Sequence, residues 1–262
     1  MQQKPPHVLA IGSFAVHGTA SLKTFITILG EKVLPVPSLL LNGLTNMSLV
    51  KKFEPPFRDL LQSTLDLAVS RNLELILYTG YLGSAEQAGI IIEMINAYRS
   101  VIKTIITDPV CGDHGRTYVP QEVIERWPEI IRLADLVFPN FTELKLLTGN
   151  SLDANDAVET YAEQFKLLYP SLKLVVTSII EAEKIGFETF YDEALKYLHE
   201  LLPKNYGGSG DAFLALFILN HFYKKIPFNE ALRLAADQTY AMIKNSIEKG
   251  SSDLVLEINE LT

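Results

Sequence analysis

The chain has 262 residues, 48% hydrophobic and 21% charged, an ordinary globular composition with enough length for a substantial core. Lysine and arginine number 23 against 31 aspartates and glutamates, a formal net charge of −8; with no basic run, that balance excludes nucleic acid or an anionic membrane as a partner. A single cysteine rules out an intramolecular disulfide, no apolar run reaches transmembrane length, and the first residues lack a signal-peptide core. The expectation is a cytoplasmic protein folded as one domain over residues 1–262.

In chain order, residues 7–11 read as a short buried strand bounded by Gly12-Ser13. A helix follows over 20–29 with Gly30 placed to end it, then a strand over 33–36. Pro55-Pro56 opens an amphipathic helix to about residue 71, and 75–78 is another buried strand. After Thr79-Gly80-Tyr81-Leu82-Gly83 a helix starts at Ser84, which has capping-box spacing with Gln87. Residues 101–107 form a β-branched run, 121–132 a helix, 136–138 a short strand, 153–169 a helix and 172–177 a strand. Strands alternating with helices this often predict an α/β fold, a mostly parallel central sheet with helices on both faces. From 181 to 202 the pattern blurs, and a β-hairpin around Asp192-Glu193 fits it best. Two helices, 211–223 and 229–245, follow, with a final edge strand over 254–258.

Ligands of open α/β sheets collect at the carboxyl ends of the strands. After the strand ending at Thr107 comes DPVCGDHGRTY (108–118), whose acids Asp108 and Asp113 suit a hydrated Mg²⁺ near phosphates or simply a solvated turn. Asn140 and Glu143 follow the next strand with the spacing of a helix cap. Thr177 and Ser178 place two hydroxyls where phosphate would meet them or where a strand would end. Cys111 with His114 suggests a thiol–imidazole pair but lacks an orienting third group, and the other histidines have no metal-ligand spacing.

One stretch outweighs the rest: NYGGSGDAFLALFIL (205–219), three glycines running into a buried helix. Glycine lets a ligand approach the backbone, and the free amides at the helix start suit phosphoryl oxygens. Asp211 stands where a carboxylate would take a proton from an attacking hydroxyl, although the same spelling also describes a plain helix start with Asp211 as N-cap. Neither a Walker loop nor a dinucleotide fingerprint is present.

Taken as an ordered set, these motifs resemble the pyridoxal kinase family of the ribokinase-like superfamily. They are Ser13 with Val16-His17-Gly18, Gly80 to Ser84, the 108–118 loop, Ala134-Asp135, Pro139 to Glu143, Thr177-Ser178 and Gly208-Ser209-Gly210-Asp211. The resemblance implies a three-layer ribokinase-like fold in which Asp211 deprotonates the hydroxymethyl group of pyridoxal, pyridoxamine or pyridoxine for attack on the γ-phosphate of ATP. It implies an anion hole from the amides of Gly208, Ser209 and Gly210. Asp108, Asp113, Asn140 and Glu143 would position Mg²⁺ and phosphates directly or through water, with Tyr118, Thr177 and Ser178 also facing the nucleotide. Ser13 and Tyr81 would contact the pyridine and Thr45 border it. Members are similar in being homodimers, often activated by K⁺.

Three positions depart from the family pattern, one of them, Ser209 where Gly-Thr-Gly is usual, keeping both glycines and a hydroxyl. Leu44 stands where histidine is common in the Asn42-Gly-Leu-Thr-Asn46 loop, and Phe138 stands where threonine is frequent. The rival readings are a hydroxymethylpyrimidine or hydroxymethylpyrimidine-phosphate kinase, which commonly carries cysteine in place of Asp211, and a kinase-like binding protein without activity.

Overall fold

The structure, a computed structural model, describes residues 5–45, 47–154, 156–191 and 193–257. Its strands are β1 (His7–Ala15), β2 (Val33–Leu41), β3 (Lys52–Phe53), β4 (Leu75–Thr79), β5 (Ile102–Thr107), β6 (Gly112–Asp113), β7 (Arg116–Thr117), β8 (Leu136–Val137), β9 (Lys173–Glu181), β10 (Lys184–Phe190) and β11 (Leu195–Glu200). Its helices are α1 (Leu22–Leu29), α2 (Phe57–Ser70), α3 (Ala85–Ala97), α4 (Gln121–Ile124), α5 (Trp127–Ile131), α6 (Phe141–Leu147), α7 (Val158–Leu168), α8 (Ser209–Ile218) and α9 (Phe228–Glu248).

Side-chain alternation along the strands sorts the core into two layers. Leu9 and Ile11 of β1, Leu75 and Leu77 of β4 and Ile105 of β5 pack on one side, against Leu61 and Leu65 of α2 and Ile91 and Ile95 of α3. Val8 and Ala10, Ile76 and Tyr78, and Ile106 pack on the other, against Phe25 of α1, the apolar run of α8 and Leu232 and Ala235 of α9. Strands buried on both faces read as continuous apolar runs, which is why they carry no polar alternation.

The main sheet runs β11-β10-β9-β8-β5-β4-β1-β2-β3. From β9 to β2 every pairing is parallel, and antiparallel strands flank it on both sides. The carboxyl ends of six strands therefore meet along one edge, as a ribokinase-like α/β protein requires. Two bulges shape that edge. In β2, Ser38 is an extra residue opposite the Gly12/Ser13 step. In β9, Thr177 and Ser178 together oppose Phe187, with Ser178 at φ 56°. Bulges re-aim side chains.

Several boundaries differ from the sequence expectation. β1, β2 and β9 run beyond their apolar cores, so Thr177 and Ser178 lie inside a strand rather than at its end. The expected helix over 121–132 is two short helices, with Pro128 in the first turn of the second. Helix α7 starts at Val158 rather than 153. The hairpin is present as β10 and β11; Asp192 itself lies outside the described residues. Residues 254–257 join no strand, and Ile258 lies outside the described residues, as does Asn46 of the loop after β2. Ser84 precedes α3 but accepts no capping bond; Gln87 instead takes the Gly83 amide at 2.8 Å and donates to the Ser38 carbonyl at 2.7 Å. Among the described residues, no helix is long and apolar enough to cross a membrane.

Candidate active site

The helix α8 begins with Gly208 as its N-cap, in the left-handed region at φ 86°. A Cβ at this position would lie 2.6 Å from the Thr19 carbonyl oxygen, so glycine lets the start of α8 lie against the segment entering α1. Asp211 is therefore not the N-cap but a first-turn residue. Its Oδ2 accepts a 2.7 Å hydrogen bond from the Ser21 amide, 190 positions away in the chain. Ser21 adopts φ 50°, an unusual conformation for serine, in presenting that amide. Burial pushes the Asp211 carboxyl up to about 6, with the Ser21 amide acting in the opposite direction. A carboxylate tuned this way is a stronger base than an exposed one and remains ionised at neutral pH.

The loop between β5 and α4 is strapped to the start of α6. Asn140 and Glu143 form a complete capping box: the Glu143 amide donates to Asn140 Oδ1 at 3.0 Å, and the Asn140 amide donates to Glu143 Oε2 at 2.9 Å. Glu143 Oε1 also accepts from the amides of Cys111 and Gly112, while Asn140 Nδ2 donates to the Gly112 carbonyl at 2.7 Å. Thr142 Oγ1 accepts from Gly115 at 2.9 Å. The cap and the loop clamp use the same two side chains, so the cap reading of this pair is present in the structure.

Asp108 follows β5 directly. Tyr78 donates to its Oδ2 at 3.3 Å, beneath a ring stack on Phe25 at 4.2 Å. Gly80 leaves room for that hydroxyl, since a Cβ there would lie 2.6 Å from it. Burial and the nearby Asp211 hold the Asp108 carboxyl well above the usual range, and burial with Asp108 does the same to Glu143. None of the three acids has an ion-pair partner among the described residues.

Ser21, Asp108, Asn140, Glu143 and Asp211 border one cavity of about 340 Å³ at the carboxyl edge of the sheet. Gly208, Ser209, Gly210 and Asp211 line it, as do Asp108, Asp113, Tyr118, Asn140, Glu143, Thr177 and Ser178. Ser13, Thr45 and Tyr81 complete the set singled out from the sequence. Asp113 sits at the exposed rim, where Oδ1 takes the His114 amide. Among the described residues, no lysine, arginine or histidine lines the cavity. The described residues contain no cluster of three His, Cys, Asp or Glu able to hold a metal unaided.

Ser21 also borders the cavity and no motif pointed to it, while Tyr206, Phe213 and Leu214 border it from within the 205–219 stretch, where no role was assigned to them. Ser21 acts through its amide, which no side-chain motif advertises, and Tyr78 passes for an ordinary apolar strand residue. Phe138 lines the cavity and packs on Phe213 and Phe217, joining it to the core. Leu44 packs with Val50 and Tyr81 over Ala15, Leu39 and Leu41. Cys111 is buried, and burial together with Glu143 and Asp108 pushes its thiol up. That argues against the Cys111–His114 nucleophile, which needs a thiolate.

A parallel sheet whose carboxyl edge carries a Gly-rich helix start, a tuned carboxylate and a clamped acidic loop defines a small-molecule phosphotransferase of the ribokinase-like class. The chain matches the phosphomethylpyrimidine kinase family over residues 22–256 and belongs to that family. A pyridoxal kinase of Arabidopsis thaliana is 29% identical over 268 residues, covering 92% of this chain and 82% of the relative. A Bacteroides thetaiotaomicron protein described as a phosphomethylpyrimidine kinase and crystallised with pyridoxal is 26% identical, with a TM-score of 0.82 over 93% of this chain and 89% of its own. The fold is also that of a Leishmania donovani pyridoxal kinase in complex with ADP and pyridoxamine, at 22% identity and a TM-score of 0.80, over 95% of this chain and 90% of the other.

Proposed function

We propose that this chain is a single-domain cytoplasmic kinase that transfers the γ-phosphoryl group of ATP to the hydroxymethyl oxygen of a vitamin-B6-type pyridine: pyridoxal, pyridoxamine or pyridoxine. The observation that carries the reading is Asp211, held by the Ser21 amide beside the first amides of α8 in a cavity where Asp108 and Glu143 have no ion-pair partner among the described residues. Asp211 accepts the hydroxyl proton as the oxygen attacks phosphorus. The amides of Gly208, Ser209 and Gly210 take the charge of the transferring group, the main protein contribution to such a reaction.

A cavity whose described lining holds acids and no basic side chain repels the polyphosphate of ATP unless a cation accompanies it. Mg²⁺ fits that requirement, since it favours one or two carboxylates plus waters and phosphate oxygens. Asp108, Asp113 and Glu143 would hold it directly or through water. Bound there it supplies neutralising charge to the phosphates. Asn140, Tyr118, Thr177 and Ser178 line the nucleotide side; Ser13, Tyr81 and Thr45 line the acceptor side. A homodimer and activation by K⁺ complete the proposal by likeness to the family described above.

The apolar packing of Leu44 keeps a second acceptor in view, the hydroxymethyl group of a pyrimidine. A coupled ADP-release assay with Mg²⁺ and K⁺, run in parallel on the three pyridines and on hydroxymethylpyrimidine, separates them. Turnover on a pyridine is the expected result. Turnover on the pyrimidine alone would reassign the acceptor, and no turnover on any of the four would overturn the kinase assignment.

A further inference from the structure

A second and larger cleft opens at the opposite edge of the sheet, at the amino-terminal starts of β5, β8 and β9. Its volume is about 790 Å³. Arg99, Lys103, Arg132 and Lys173 line it, and among the described residues Asp135 is the only carboxylate that does so. The cations converge from four places in the chain: just beyond α3, in β5, just beyond α5 and at the first residue of β9. This concentration occurs in a protein whose net charge is −8.

None of the four cations forms an ion pair among the described residues. What holds them is weaker or neutral. Lys103 donates to the Ser100 carbonyl at 2.7 Å, Arg132 reaches the Pro128 carbonyl at 3.4 Å, and Lys173 lies 5.0 Å from the Phe228 ring centre. Asp135 is itself engaged, accepting from the Ile105 amide at 2.7 Å. Cations often sit at helix C-termini to complement the dipole, and that would account for Arg99 and Arg132. It does not account for Lys103 and Lys173, which stand at strand starts.

The rest of the lining suits an organic group: Leu133, Leu172 and Phe222 are apolar, and His221 is oriented by a 2.9 Å contact of Nδ1 with the Ile226 carbonyl. A concave site within the roughly 300–1,000 Å³ range of small-molecule pockets points to a small ligand rather than a flat macromolecular surface. Paired guanidinium forks and ammonium groups match phosphate oxygens.

We propose that this cleft binds a small phosphorylated organic anion, at a site separate from the catalytic cavity and independent of the acceptor assigned to it. Isothermal titration calorimetry of the full chain with inorganic pyrophosphate, in EDTA and low salt, tests it. The expected result is binding that the double variant Lys103→Glu/Arg132→Glu weakens by about tenfold or more. The double variant Lys184→Glu/Lys244→Glu, which changes two exposed lysines outside the cleft, should leave affinity within about twofold. The proposal is overturned if the native chain does not bind pyrophosphate, if the cleft variant binds as the native chain does, or if the control loses as much affinity as the cleft variant. Should circular dichroism show the reversed-charge cleft variant unfolded, Lys103→Ala/Arg132→Ala takes its place, with the same criterion.

Discussion

Asp211 and Ser21 are joined by a 2.7 Å hydrogen bond from a backbone amide to a carboxylate oxygen, and that bond ties the start of α8 to the start of α1. The amide fixes one carboxylate oxygen, and in the proposed mechanism the other takes the substrate proton. Asp211→Asn keeps the size of the side chain and removes the base. Its kcat should fall by about 10²–10⁴, while ATP affinity stays within a few-fold, because the proton is taken in the transition state. Single-turnover rates and nucleotide titrations check both halves. Near-native turnover in the variant would refute the base assignment.

The same residue sets two opposite pH trends. Its carboxyl is raised to about 6, so kcat should rise about tenfold per pH unit below 6 and level off above it. Stability runs the other way. A carboxyl raised by folding holds its proton more tightly in the folded chain than in the unfolded one, so stability is fully present below the ordinary carboxylate range and is lost as pH rises through 6. Asp108 and Glu143 are raised as well and add to the same trend. Thermal unfolding of the ligand-free chain between pH 4 and 8 should show the loss, and Asp211→Asn should remove a share on the order of 2 kcal/mol. A melting temperature that climbs steadily over this range would contradict the picture.

Gly208 tests the helix start without touching the base. Its φ of 86° and the Thr19 oxygen 2.6 Å from a would-be Cβ leave alanine no relaxed position. Gly208→Ala should cost at least about 1–2 kcal/mol of stability and move the α8 amides, lowering kcat more than it raises KM. Thermal melts with steady-state kinetics read both effects. A variant as stable and active as the parent would show that the close approach to Thr19 is dispensable.

Glu143 has three backbone donors on its carboxylate, from Asn140, Cys111 and Gly112. Glu143→Gln places an amide NH₂ where one of those acceptors stood, leaving a buried donor unsatisfied at about 1–3 kcal/mol. Loosening should be confined to the 108–118 loop and the first turn of α6, seen as faster hydrogen exchange at the Cys111 and Gly112 amides. A weaker response to Mg²⁺ should accompany it. Unchanged exchange at those two amides would detach the loop from Glu143.

The legibility of the chain divides along a physical line. Strands buried on both faces announce themselves as apolar runs, and glycines that admit a close approach announce themselves by type, so the sheet and Gly208 to Asp211 could be read directly. Features that depend on backbone geometry between distant segments could not. The Ser21 amide, the bulge at Thr177 and Ser178, and the Tyr78 hydroxyl under Asp108 exist only after folding brings them together. The Asn140–Glu143 pair has the spacing of a cap, and its second task, clamping the 108–118 loop, depends on contacts that the spacing does not encode. The broken helix at Trp127 and the extended β9 show the usual limit of periodicity, which finds the element and misplaces its ends.

Leu44 tests acceptor choice. It lies over an apolar cluster beside Tyr81, and Gly18, at φ 94°, backs directly onto it: a Cβ there would lie 2.4 Å from Leu44 Cγ. Restoring the histidine common in the pyridoxal kinase pattern trades packing for a ring nitrogen able to hydrogen-bond the acceptor. Leu44→His should therefore lose about 1–3 kcal/mol of stability while lowering KM for a pyridine a few-fold, with kcat nearly unchanged, because the new contact is made equally in ground and transition states. Discrimination between pyridine and pyrimidine should rise by the same factor. If KM for both acceptors instead rises together, Leu44 acts only through its packing on the Ala15, Leu39 and Leu41 cluster, and acceptor choice must lie with Ser13 and Tyr81, which line the cavity.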